Sequence, residues 1–256
     1  MTTLVRTATD RGVATLTLDS PTNRNALSRA LLDQLLDALA EAGADPAVRV
    51  VVLGHAGPAF CSGVDLAETE AARASGELPA ARLGELLRAV WEFPKPVLAK
   101  VGGPARAGGV GLLAATDIAV CATDATFAFS EVRIGVVPAV ISATVLPRLT
   151  SRAAAELLLT GEVFDGTRAE RAGLVTAAVP ATELDATVDR YVAALLRAAP
   201  GALAGTKRLL HRPTSITFGD QLAELTALSV TYFRSDEGVE GVRAFREKRD
   251  PGWILR

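Results

Sequence analysis

The sequence predicts an α/β fold built on a parallel sheet, with a last quarter that is all helix. Three observations carry that prediction. Short β-branched or apolar runs recur as far as Val179, and segments with helical apolar spacing separate them. Strands alternating with helices of this length favour parallel pairing through right-handed crossovers. Beyond Ala181 the apolar spacing turns mainly helical.

The first run, Val13 to Leu18, ends at Asp19-Ser20-Pro21, where proline favours leaving the strand. From Ser28, an expected N-cap, Leu32, Leu35, Leu36 and Leu39 recur at helical spacing until Gly43 offers a stop. Val48 to Leu53 suits a strand buried on both faces, and His55-Ala56-Gly57-Pro58 breaks it. The alternation continues with a strand at Pro96 to Val101, a short helix at Gly108 to Thr116, and strands at Asp117 to Cys121 and Gly173 to Val179. From Leu184 through Phe245 helices are expected, interrupted at Ala199-Pro200-Gly201 and Arg212-Pro213.

With 256 residues, 49% of them hydrophobic, the chain has enough apolar surface for one substantial core. Its formal charge of -2 supplies no broad positive field, so neither nucleic acid nor an anionic membrane surface is an expected partner. The most apolar long stretch, Ile134 to Leu146, is broken by Gly135, Pro138, Ser142 and Thr144 and is too short to span a bilayer. The segment Met1 to Asp10 lacks the uninterrupted apolar core of a secretory signal. Cys61 and Cys121 have neither the number nor the spacing of a disulfide framework or a zinc site. A reducing cytoplasm is the expected compartment, and no metal site is expected because HExxH, paired CxxC and acidic clusters are absent.

Two loops that follow predicted strands are rich in residues that let a backbone approach a ligand. They are Ala59-Phe60-Cys61-Ser62-Gly63-Val64-Asp65-Leu66 and Ala107-Gly108-Gly109-Val110-Gly111. Glycine permits close approach, and the first N–H groups of a helix lack internal partners at the positive end of its dipole. Alone, a glycine-rich turn is more often a tight connection. No Lys-Ser or Lys-Thr follows to make a P-loop, and the spacing departs from the dinucleotide fingerprint. Ser62 lacks the G-x-S-x-G context of a hydrolase nucleophile, only His55 and His211 are available as bases, and Cys61 reads as a small buried residue.

Three further segments complete a pattern: Asn23-Arg24-Asn25-Ala26-Leu27, Phe129-Ser130-Glu131-Val132-Arg133-Ile134-Gly135 and Phe245-Arg246-Glu247-Lys248-Arg249. In this order and spacing the five segments resemble the enoyl-CoA hydratase/isomerase (crotonase) family over essentially the whole chain. The resemblance implies a crotonase-like superhelix of ββα turns over residues 1–195, followed by a C-terminal helical trimerisation region at 196–256. It implies an acyl-CoA thioester as substrate, coenzyme A entering with that substrate and no separate cofactor. It also implies assembly as a homo-trimer or a dimer of trimers.

Residue by residue, the family pattern places the two oxyanion-hole amides at Val64 and Gly108 and a catalytic acid/base at Glu131. Arg24 matches a position near the coenzyme A phosphates, and the backbone around Cys61, Ser62 and Gly63, with Asp65 and Leu66 after it, matches the segment that meets the adenine end. Phe245 and Lys248 resemble C-terminal residues that reach coenzyme A on a neighbouring subunit. A lone glutamate after an apolar pair is ordinarily a surface residue; its position relative to the two loops is what marks Glu131. In a dry acyl pocket its pKa is expected to rise.

Gly111 departs from the family pattern. Two-glutamate hydratases carry their other glutamate at that position, and glycine neither binds nor deprotonates water. The segment from Ser130 to Arg133 and on through Pro138 to Ser142 also resembles branched-chain glutaconyl-CoA hydratase relatives, some of which have glycine at the position of Gly111. Hydration of a 2-enoyl-CoA is therefore the expected reaction. Double-bond isomerisation by Glu131 alone, and a binder that has lost turnover, are the alternatives.

Overall fold

The computed structural model describes residues 2–65, 68, 80–212 and 218–255. Strands β1 (Val5–Asp10) and β2 (Val13–Leu18) form an antiparallel hairpin. Its two-residue turn, Arg11-Gly12, has φ of 41° and 84°. Positive φ at both turn positions gives a twist that matches the strands. β1 buries only Val5, so it shows no alternation that a sequence reading detects.

From β2 onward the main sheet is parallel, in the order β1-β2-β3-β4-β6-β9, with β3 (Val50–His55), β4 (Val97–Val101), β6 (Ile118–Ala122) and β9 (Ala177–Val179). The last strand is shorter than the expected Gly173 to Val179, because Gly173 at φ 88° ends the preceding helix. β3 is buried on both faces, as its continuous apolar run predicts. Val51 and Leu53 enter the principal core, and Val52 joins Leu98 and Val120 in a second core.

A second layer accompanies the sheet. β5 (Ala105–Arg106) pairs in parallel with β7 (Thr126–Ala128), and β8 (Phe164–Asp165) adds to β7 in the antiparallel sense. Parallel bridges join Cys61 to Ala105 and Leu27 to Val64. Each turn of chain therefore lays one strand in the main sheet and one short segment in the second layer, then adds a helix. The helices are α1 (Arg29–Ala44), α2 (Ala80–Trp91) and α3 (Gly108–Ala115) in the first three turns. This is the expected superhelix of ββα turns. The Ser28 hydroxyl caps α1 by accepting from the Leu31 amide, as predicted, but the helix runs past Gly43 to Ala44, where the Asp45 amide closes it on the Glu41 carbonyl. A Cβ on Gly43 would lie 3.3 Å from the Phe93 ring, so this glycine serves packing rather than termination.

Beyond the 3₁₀ turn Ser130–Ile134 come α4 (Ala139–Val145), α5 (Ser151–Thr160) and α6 (Gly166–Ala172). Helix α7 (Leu184–Leu196) covers the second core with Leu184 and Val188. The helical last quarter continues as α8 (Pro200–Leu210), α9 (Phe218–Arg234) and α10 (Asp236–Glu247). Arg49 ties this region down by donating to the carbonyls of Ala198 and Trp253. No helix among the described residues is long and apolar enough to cross a membrane.

Candidate active site

Four short segments, 25–27, 61–64, 105–106 and 126–128, lie side by side in the second layer through the bridges and strand pairs already given. Because they run parallel, the chain leaves all four at one edge. There they become Ser28 at the start of α1, Asp65, Gly108 at the start of α3, and Glu131. This is the edge of a parallel sheet where loop residues from several turns of chain can meet one ligand.

The positions of Val64 and Gly108 follow from backbone pairing. In a parallel bridge the central residue of one segment turns its own N–H away from its partner. The Leu27 amide donates to Gly63 O at 2.7 Å and the Asp65 amide to Leu27 O at 3.4 Å, so the Val64 N–H faces the opposite side. Gly108 is the first residue of α3, where Val110 and Gly111 already share the Ala107 carbonyl. Its N–H is thus one of the helix's open donors. The two sites are neighbours: a Cβ on Gly108 would lie 3.7 Å from Val64 Cγ1, and one on Gly63 would lie 3.2 Å from Ala107 Cβ and from Arg106 O. Ala107 itself sits at φ 46°, ψ -116°, a strained conformation for a residue with a side chain. The turn is held by the Ala107 amide donating to Ala128 O and by Arg106, whose guanidinium donates to the carbonyls of Ala105 and Thr126 and to the Thr126 hydroxyl.

Cys61 is fully buried, and its thiol is pushed up to about 12 by desolvation, which removes it as a nucleophile. A Cβ on Gly109 would come within 2.7 Å of Cys61 Cβ and O, so glycine there permits the two loops to touch. The Ser62 hydroxyl donates to Asn23 O and its amide to Arg24 O. Arg24, at φ 56°, is exposed beside Ser62. Asp65 Oδ1 accepts from the Glu68 amide. Leu66 lies outside the described residues.

Sequence reading gave Asn25 no role of its own, yet it pins the loops together. Completely buried at φ 54°, it accepts from the Ser20 amide at 2.7 Å and donates to the carbonyls of Ala56 and Ala59 at 3.0 and 2.8 Å. An Asn25→Ala variant strands three main-chain groups. Since each unsatisfied buried group costs about 1–3 kcal/mol, chemical denaturation is expected to register a loss of at least that size. The detectable signal was an asparagine just before an apolar pair, which spacing alone does not separate from a turn residue.

Glu131 lies in the 3₁₀ turn that follows β7, half buried, with Oε2 out of contact with water and without a hydrogen-bond partner among the described residues. Burial raises its pKa above the ordinary carboxylate range, against a smaller opposing effect of its own backbone amide. At Gly111 the expected gap is already filled. A Cβ there would lie 2.5 Å from Ile141 Cγ2 and 2.8 Å from Ile141 Cβ. Phe245, 85% exposed on α10, and Lys248, exposed at that helix's C-cap, stand outside the loop cluster of their own chain. A separate cleft of about 1200 Å³ lies between β1–β3 and α7, and none of the loop residues named here lines it.

Comparison with known proteins gives a consistent picture. A family model described as enoyl-CoA hydratase/isomerase matches residues 8–255. The solved structure of an enoyl-CoA hydratase from Mycobacterium avium is 46% identical, covers 99% of this chain and 100% of that one, and superposes with a TM-score of 0.75. The enoyl-CoA hydratase of Mycobacterium smegmatis is 35% identical, with coverage of 98% and 99% and a TM-score of 0.92. The peroxisomal Delta(3,5)-Delta(2,4)-dienoyl-CoA isomerase of Arabidopsis thaliana is 32% identical over 263 residues, or 97% of this chain and 95% of that protein.

Proposed function

The chain belongs to the enoyl-CoA hydratase/isomerase family, and from that premise we propose that it binds an acyl-CoA thioester and uses Glu131 as its one acid/base on the acyl chain. The observation that carries this reading is the Glu131 carboxyl, whose Oε2 is buried without a partner and whose pKa is raised by that burial. An unpaired buried carboxyl oxygen leaves room for a ligand to complete it, and this one follows the strand that borders the Gly108 turn.

In this reading the thioester oxygen lies between the amides of Val64 and Gly108. Those donors meet the charge that develops as the acyl chain becomes enolate-like, and each contributes about 3–4 kcal/mol. Arg24 meets the coenzyme A phosphates, and the backbone from Cys61 to Gly63 receives the adenine, with Asp65 following it in the chain. The C-terminal helical region, 196–256, assembles the chain as a homo-trimer or a dimer of trimers. Large apolar side chains exposed on α9 and α10, among them Phe233, Val239 and Phe245, support that assembly. Phe245 and Lys248 then reach coenzyme A on the adjoining subunit. Two buried cysteines without a disulfide suit a reducing cytoplasm.

Hydration of a 2-enoyl-CoA, the activity named for both mycobacterial relatives, is the first reading for the reaction. Glu131 would hold the water, pass a proton to C2 and recover one as the oxygen bonds to C3. Double-bond isomerisation is the second, favoured by Ile141 crowding the Cβ that a carboxylate side chain at position 111 would need. It needs one carboxylate only, taking a proton from C2 of a 3-enoyl-CoA and returning it at C4. Incubation with short, long and branched 2-enoyl- and 3-enoyl-CoA esters, followed by mass and absorbance, distinguishes them. Binding with neither water addition nor bond migration would instead mark a scaffold.

A further inference from the structure

We infer that Ile141 is a specificity-determining residue that occupies the volume of the missing second carboxylate and so biases the site against water addition. The inference rests on the acyl-CoA reading and names what sets the reaction there.

Gly111 lies three residues after Gly108 on α3, so both point from the same face of the helix. A side chain at position 111 leans back toward the helix N-terminus, over the amide assigned to the thioester oxygen. That space belongs to Ile141, which is 3% exposed on α4. The contact is at its branch point: the absent Cβ would meet Ile141 Cβ as well as Cγ2, and a rotamer change moves Cγ2 but not Cβ. Nor is α4 free to withdraw. The Thr144 hydroxyl donates to Gly111 O at 2.9 Å, fixing α4 to the very residue it crowds. Val140, next to Ile141, is turned toward Gly84 of α2, where an added Cβ would lie 3.9 Å from Val140 Cγ1.

Gly111 and Ile141 are thus one packing unit. In hydration, the water oxygen bonds to C3 while a proton reaches C2, and a second carboxylate accepts the proton that water loses. An isoleucine in that place offers no acceptor and, in an apolar pocket, no anchor for the water. Isomerisation, which moves a proton between two carbons, is unaffected by it.

The test compares Gly111→Glu, Ile141→Ala and the double variant with the wild-type protein. Thermal unfolding, binding of unreactive butyryl-CoA, hydration of crotonyl-CoA and isomerisation of a 3-enoyl-CoA are measured for each. Gly111→Glu alone is expected to unfold about 5 °C lower, because it overpacks a closed site. The double variant is expected to recover most of that loss and to raise its hydration-to-isomerisation ratio about 10-fold or more over wild type, as an added acid/base group should. Gly111→Glu as stable as wild type would overturn the packing unit. A double variant that binds butyryl-CoA normally without a change in ratio would overturn the specificity role. Should the double variant not fold, Gly111→Ala with and without Ile141→Ala decides it: Gly111→Ala must destabilise and the pairing must relieve it. Failure of the acyl-CoA reading shows separately, as wild-type protein that neither binds butyryl-CoA nor turns over.

Discussion

Glu131→Gln is expected to reduce turnover of enoyl-CoA substrates by about 100-fold to 10,000-fold, the usual contribution of a positioned acid/base, while leaving butyryl-CoA affinity within a few-fold of wild type. Glutamine keeps the size and one carbonyl oxygen of the carboxyl but transfers no proton. The loss should therefore fall on kcat rather than KM, since the removed interaction acts in the transition state. Retention of full turnover would remove Glu131 from the chemistry.

The same variant has a stability signature of opposite sign. Burial lifts the folded-state pKa of Glu131 above its unfolded value, so the folded chain holds the proton more tightly. Its stabilising contribution is complete below the unfolded carboxylate range and disappears as pH rises through the folded pKa. At neutral pH the ionised group is a burden that glutamine does not carry. Glu131→Gln should then be at least as stable as wild type near neutrality, with wild type gaining on it as pH falls. A variant destabilised at neutral pH would identify Glu131 as a structural carboxylate. Activity and stability thus test the same burial from two sides.

Apart from β1, which buries only Val5, the main sheet was legible because its strands are short β-branched or apolar runs separated by helical spacing, and Ser28 announces α1. The second layer was not. β5 and β8 have two residues each and β7 has three, too few for any period to declare itself, and their pairing is set by the strands that precede them. Yet that layer aligns the candidate site. The glycines at 63, 108 and 109 pointed to close backbone approach, and the structure shows what they approach: Ala107, Val64 and Cys61. The absence at Gly111 was visible in the sequence, whereas its counterpart Ile141 was not, because nothing in the spacing of thirty residues tells which apolar side chain fills a gap. Lys207 gave no warning either, being one lysine on a helix whose burial is decided by the core it lands on.

Lys207→Met is expected to destabilise the protein by about 3–5 kcal/mol, the cost of leaving one partner of a buried ion pair alone. Lys207 on α8 is 6% exposed, and its ammonium donates to Asp117 Oδ2 at 2.8 Å and to the carbonyls of Val90 and Lys95. Asp117 Oδ2 also accepts from the Val97 amide, at the start of β4, while Oδ1 is buried without a partner among the described residues. Beside them Trp91 stacks on His211 with ring centroids 4.0 Å apart, and Arg148 lies 4.7 Å over the same indole. Burial pulls the Lys207 pKa down more than Asp117 restores it, so desolvation is the larger effect. Such a pair stabilises little in net terms but is costly to halve. Pairing Lys207→Met with Asp117→Asn, which keeps an acceptor for Val97, should recover much of the loss, and a double-mutant cycle by chemical denaturation measures it. Because the bridge joins α8 to β4 and to the end of α2, hydrogen exchange in Lys207→Met should rise first in α8 rather than in the main sheet. Uniform exchange across both would mean that α8 unfolds only with the core, and that the bridge is not a local clasp.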